Sequence, residues 1–235
     1  MCGRYCSDLR WSDIAKLYDL SMEGPPHWNF EPNYNVCPTQ TVATIVQRDG
    51  RRAFELMRWG IIPLSHRGPA KDWKFATFNA RTETIETLRT FRGIWRRNRC
   101  LIPVSGYFEW HHRDGAAKGE KPQPYYFTAR DGSPIVTVAG IWDRWNDPEN
   151  GGKELHSCAM VITEPNAFVR EVHDRMPVLL RPDQFSAWLD GSAGKEMLVP
   201  AAEDMLNKVP VSQRINSSRT PGDDPTLIQP VALAA

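Results

Sequence analysis

Apolar and polar positions alternate over much of this chain, and the alternation predicts a strand-rich protein. Residues 41–47 and 53–59 read as two β-rich runs joined across Asp49-Gly50, a tight hairpin turn whose glycine takes a positive φ. Residues 124–129 and 134–142 repeat the arrangement across Asp131-Gly132. Segments 99–104, 107–111 and 155–163 are further strands. Helical spacing is rarer. Residues 12–20 set Ile14, Leu17 and Tyr18 on one face behind an N-capping Ser12. Residues 84–95 place Ile85, Leu88 and Phe91 three apart, and 182–190 begins with Pro182 and stops at Gly191. Pro165 opens a short helix or turn over 164–173. Hairpin-joined strands with helices inserted between them predict an α+β fold with a largely antiparallel, barrel-like β core and a few peripheral helices. No internal repeat or Gly/Pro-rich linker interrupts the chain, so one domain over 1–235 is expected. The polar stretches 113–123 and 143–154 read as mobile loops, and 221–235 as an extended arm.

Composition narrows the class. The chain has 235 residues, 41% hydrophobic and 24% charged, which suits a globular protein with a sizeable core. No apolar run approaches the roughly 20 residues that span a bilayer, so no membrane is expected. The first residues carry no apolar stretch of the secretory kind, and a cytoplasmic location is expected. Five cysteines at positions 2, 6, 37, 100 and 158 are odd in number and irregular in spacing, which predicts free thiols. A formal net charge of +1 excludes coating of nucleic acid by bulk charge but leaves room for a local basic groove. Five arginines (Arg89, Arg92, Arg96, Arg97, Arg99) fall between Leu88 and Phe108 without an acid. Phe91 and Trp95 among them favour phosphate and base contacts; a solvated face with core aromatics is the alternative.

The candidate chemistry begins at Cys2. Removal of Met1, permitted by a small second residue, would leave a cysteine with a free α-amine. Such a 1,2-aminothiol condenses with an aldehyde to a Schiff base and closes to a thiazolidine. An α-amine near 7.7–8 is partly neutral at pH 7, unlike a lysine near 10.4. Holding both nucleophiles on one residue favours ring closure. Gly3 permits close backbone approach, and Arg4 sets a cation beside the reactive end. Asn79 and Arg81 share one side of an extended stretch, fit to position an amine and clamp a phosphate; a turn role for Asn79 stays open. Glu109, between Phe108 and Trp110, suits general acid work if desolvated, or faces outward as an ordinary strand residue. Alternation puts Tyr107, Glu109 and His111 on one face. His173, followed by Asp174 and Arg175, is an acid/base candidate or a satisfied helix-end histidine. Cys2, Cys6, Cys37, His156 and Cys158 match no compact zinc spacing, so no metal is expected. There is no phosphate-binding glycine loop, dinucleotide fingerprint, serine-nucleophile elbow or HExxH pair, and no cofactor is expected.

Nine segments then combine into a resemblance: MCGRY at the start, YNVCPTQ at 34–40, RWGIIP at 58–63, NARTET at 79–84, LIPVSGYFEW at 101–110, TVAGIW at 137–142, VITEPN at 161–166, VHDRMPVLL at 172–180 and LIQP at 227–230. In this order they resemble the SRAP family, the SOS-response-associated peptidases or abasic site processing proteins. The resemblance implies an α+β, barrel-like fold with a basic channel that binds single-stranded DNA. It implies covalent trapping of abasic-site aldehydes as a DNA–protein crosslink within the DNA damage response, on the nucleoid when bound to DNA. Cys2 matches the nucleophile, Asn79 the residue orienting its amine, Glu109 the acid that assists sugar opening, and His173 the remaining acid/base group. Arg4, Arg81, Arg89 and Arg175 match arginines of the phosphate path; Pro38 and Thr163 match smaller contacts. Many relatives carry a tryptophan wedge where this chain reads Pro63-Leu64-Ser65-His66, and Trp73 is the expected substitute. A monomer is expected, with weak β-elimination as a lyase side reaction. A cysteine peptidase or autoprotease built on Cys2, His173 and Asn79 is the alternative, and a non-catalytic nucleic-acid reader the third reading.

Overall fold

The computed structural model describes residues 2–23, 30–113, 115, 117 and 119–233. Its strands are β1 (Tyr5–Ser7), β2 (Asn33–Val36), β3 (Thr41–Arg48), β4 (Arg51–Trp59), β5 (Asn79–Arg81), β6 (Arg99–Val104), β7 (Gly106–His111), β8 (Gln123–Ala129), β9 (Val136–Asp147), β10 (Lys153–Thr163), β11 (Met176–Pro177) and β12 (Leu206–Pro210). Among the described residues three α-helices accompany them: α1 (Trp11–Tyr18), α2 (Ala167–Arg170) and α3 (Phe185–Leu189). One sheet runs β12-β8-β7-β1-β2, antiparallel throughout. In the other, β10-β4-β3-β6-β9 closes on itself through β9–β10 pairing, a five-stranded barrel to which β5 and β11 attach along β10. The β10–β4 and β10–β5 pairings are parallel and the rest antiparallel, so the α+β, largely antiparallel expectation holds.

The core follows from strand alternation. In β6, Cys100, Ile102 and Val104 face one apolar cluster while Leu101 faces another. In β10, Cys158 and Met160 divide likewise from Ala159 and Val161. Both faces are covered, which is why these strands read as continuous apolar runs. A third cluster packs Cys6, Phe108 and Tyr126 under Ile215 and Leu227. All five cysteines are free and buried. Among the described residues no helix is long and apolar enough to cross a membrane.

Local turn chemistry predicted the β3–β4 hairpin well. Asp49 and Gly50 both take positive φ, 49° and 76°, and Arg48 pairs with Arg51. Elsewhere the structure corrects the reading. The Asp131-Gly132 turn forms, but β8 and β9 do not pair: β8 lies between β7 and β12, and β9 between β6 and β10. Pro134, which lacks an N–H, stands where the ladder would continue. The predicted loop 143–154 is instead the end of a β9–β10 hairpin, paired as far as Asp147 and Lys153. Asp114, Ala116 and Lys118 of the predicted loop 113–123 lie outside the described residues. Helix α1 starts at Trp11, and Ser12 lies within it; Arg10 is the cap residue and supplies no side-chain hydrogen bond. Residues 84–98 form successive helical turns rather than one helix, with Leu88 N bonded to Thr84 O and Phe91 N to Leu88 O. Phe91 and Trp95 are buried in the core, not interleaved for stacking. Arg99 is buried too, its guanidinium between Trp95 and Trp188 and bonded to Ala193 O at 2.6 Å. The exposed members of the basic run are Arg89, Arg92, Arg96 and Arg97.

Candidate functional site

Four chain segments place the predicted chemical residues around one buried point. Cys2 lies just before β1, which is tied to β7 by Tyr5↔Tyr107 pairing and by Phe108 N donating to Arg4 O. Cys2 is therefore brought to β7, whose period-two alternation turns Tyr107 and Glu109 to the same side. Asn79 opens β5, held parallel to β10 with Asn79 opposite Met160. Its Nδ2 donates to Cys2 O at 3.0 Å. His173 follows α2, whose Asn166 cap accepts from Val169 N, and its own backbone N–H donates to Val169 O.

Burial sets the electrostatics. Cys2 is 1% exposed and Glu109 0%. Loss of water pushes the Glu109 carboxyl up to about 7, with Asp174 adding to the rise and the Cys2 thiol opposing it. Burial also raises the Cys2 thiol, and the Glu109 charge and hydrogen bond raise it further. His173 is held below its ordinary value, chiefly by burial. Its Nδ1 lies 3.0 Å from Arg175 N and 3.3 Å from both Arg175 O and Asp174 Oδ1, and its Nε2 lies 3.4 Å from Glu109 Oε2. The pocket thus holds a carboxyl that can exchange a proton near neutrality, beside a thiol and an imidazole.

Asn79 also lines a cleft of about 440 Å³ shared with Trp73, Phe75, Arg81 and Leu88. Arg81 is exposed there, on the same side of β5 as Asn79, as alternation predicts. Trp73 is half-buried, its Nε1 bonded to Thr77 Oγ1 and its ring 4.8 Å from that of Phe75. Arg89 is exposed on the turns that carry Leu88 and Phe91, two of the cleft-lining residues. Arg175 is ion-paired with Glu83. Arg4 is buried, donates to Asn35 Oδ1 and Ile215 O, and lies over the Trp110 ring. Pro38 is half-buried after β2, and Thr163 is buried at the end of β10 with its hydroxyl toward Thr82 and Leu198 O. Neither lines the cleft.

Two neighbours escaped the sequence reading. Phe75 is 70% exposed at the cleft, a position that no periodicity marks. Tyr107 shares the Glu109 face of β7, and its residue type alone marks no chemistry there. Among the described residues no group of three or more His, Cys, Asp or Glu is arranged to hold a metal ion.

Known proteins share this architecture and sequence. A crystal structure of a protein from Bordetella bronchiseptica superposes with a TM-score of 0.74 at 28% identity, covering 90% of this chain and all of that one. One from Bacteroides thetaiotaomicron gives 0.73 at 27%, covering 85% of this chain and 86% of the other. The abasic site processing protein YoqW of Bacillus subtilis (strain 168) is 31% identical over 97% of this chain and 99% of its own length. The abasic site processing protein YedK of Escherichia coli (strain K12) is 29% identical over 98% and 100%. The family model described as SOS response associated peptidase (SRAP) matches residues 1–218. With a family match of that extent and a relative above 30% identity, this chain belongs to the SRAP family.

Proposed function

We propose that this chain processes abasic sites in single-stranded DNA by trapping their aldehyde on a mature N-terminal Cys2, giving a thiazolidine crosslink that shields the lesion. The observation that carries the reading is the meeting of Asn79, bonded to the Cys2 carbonyl, with a Glu109 carboxyl near 7 that engages the Cys2 thiol. The names of the relatives support the same lesion. The whole chain acts as one domain and as a monomer, in the cytoplasm, without cofactor or metal.

Protonated Glu109 gives its proton to the ring oxygen of the sugar hemiacetal as the C1–O4 bond breaks. The C1 hydroxyl returns a proton to the carboxylate, leaving the open aldehyde. With Met1 removed, the Cys2 α-amine, oriented through Asn79, attacks C1. The nitrogen proton passes to the carbonyl oxygen, giving a carbinolamine. Glu109 then protonates the departing hydroxyl, water leaves and an iminium remains. The Cys2 thiol yields its proton to Glu109 and its sulfur bonds to C1, closing the ring. His173, with its Nε2 3.4 Å from Glu109 Oε2, relays protons to and from this carboxyl. The net change is loss of one water. Arg81 and Arg89 face the strand phosphates, and Trp73 supports the displaced bases. Elimination at the imine stage gives a weak lyase side reaction.

A cysteine peptidase has less support. Its nucleophile needs a depressed thiol pKa, whereas the Cys2 thiol is raised, and Asn79 is bonded to Cys2 rather than to His173. Mixing the protein with an oligonucleotide carrying one abasic site tests the proposal. Expected is a denaturant-stable adduct of mass equal to the Met1-free chain plus DNA minus one water, absent from Cys2→Ser. Retained Met1 in the reactive protein, or an undiminished adduct from Cys2→Ser, sinks it.

A further inference from the structure

Tyr107 stands on β7 two residues before Glu109, without a structural task for its hydroxyl. It is 1% exposed, and its Oη has no hydrogen-bond partner among the described residues. The ring is fixed by a flat stack on Phe127, centroids 5.0 Å apart with planes 7° apart. Pairing with Tyr5 on β1 and Phe127 on β8 holds the backbone on both sides. A phenylalanine would fill the same stack and leave no polar atom unsatisfied, so packing alone does not account for the phenol. Tyr107 shares the Glu109 face of β7, and the Cys2 thiol and the Glu109 carboxyl are near enough that either, once ionised, would raise its pKa. Burial, before all else, holds its pKa above the ordinary value, so near neutrality it is a neutral O–H donor.

Resting on the aldehyde-capture reading, we propose that Tyr107 is a further catalytic residue, its hydroxyl donating a hydrogen bond to the sugar's C1 oxygen. As the amine nitrogen bonds to C1, the carbonyl π pair moves onto that oxygen. The phenol stabilises the developing negative charge without giving up its proton. The oxygen then takes its proton from the nitrogen and leaves as water, as in the scheme above. Tyr107 Oη is thereby satisfied in the complex and unsatisfied in the free protein.

The test compares Tyr107→Phe with wild type in single-turnover crosslinking at saturating single-stranded abasic DNA. Expected is a rate lower by roughly tenfold or more, with unchanged DNA affinity and a denaturation midpoint equal to or above that of wild type. Equal crosslinking rates would overturn the assignment, as would a slower rate accompanied by lost stability, which marks a packing role. If wild type forms no adduct, the aldehyde-capture reading falls and this assignment with it. Adducts formed equally fast by both proteins sink the assignment alone.

Discussion

Glu109 joins stability to chemistry in one carboxyl. Its pKa rises from about 4.5 in the unfolded chain to about 7 in the folded protein. The folded state therefore binds the proton more tightly between these values. The stability this gives is complete below about pH 4.5 and is lost as pH rises to about 7. The span corresponds to about 3 kcal/mol at most. His173, lowered by burial, works with the opposite sign: its contribution is present above the unfolded value of 6.5 and falls away as pH drops through its lowered folded value. Glu109→Gln should remove the first slope and leave the second, so the variant gains on wild type as pH rises from 4.5 to 7. Urea denaturation across that range measures it, and parallel curves for the two proteins would refute the buried-acid account. The same substitution should slow aldehyde capture by about 10²–10⁴-fold, the usual worth of a positioned proton donor.

The strand β7 makes this placement possible, and its first residue is the weak point. A Cβ on Gly106 would lie 2.4 Å from Phe127 O and 2.6 Å from the Tyr126 ring. Gly106→Ala must push β8 away from β7, moving Tyr107 and Glu109 with it. Overpacking of this kind costs about 1–3 kcal/mol. A lowered thermal midpoint together with slower crosslinking is expected; an unchanged midpoint would show that the sheet gives freely. How far the elements could be read from sequence follows from the range of their determinants. The β3–β4 hairpin and β6 were legible because a two-residue turn and a continuous apolar run are local signals. The β8–β9 expectation failed because partners are chosen across the whole sheet: β8 takes β7 and β12. The β9–β10 hairpin hid behind polar residues because its far end is solvated on both strands. At the site, motif resemblance pointed to Cys2, Asn79, Glu109 and His173, and the structure brings these residues together. Arg175, by contrast, meets Glu83, a pairing across 92 positions that no local pattern shows.

At the scale of the molecule, a net charge of +1 means that the DNA affinity the proposed function requires must come from where cations sit rather than from how many there are. Two arginines, each on a β-strand, have opposite fates. Arg99 is enclosed by Trp95, Trp188 and backbone carbonyls, whereas Arg81 is exposed in the cleft beside Phe75. Arg81→Gln should weaken single-stranded DNA binding and reduce the steepness of its salt dependence by about 0.7, the share of one phosphate contact. Arg99→Gln should lower stability and leave that slope alone. On the proposed reading Phe75 would supply a separate, salt-insensitive term. Its ring is 70% exposed against Trp73, and a base stacked there would contribute about 1–3 kcal/mol. Phe75→Ala should therefore reduce affinity by a similar factor at every salt concentration, with an unchanged slope. Fluorescence anisotropy titrations of the three variants over a salt series separate the effects. If Phe75→Ala changes the slope while Arg81→Gln does not, the phosphates lie along the Phe75 wall of the cleft and the bases along the Arg81 wall.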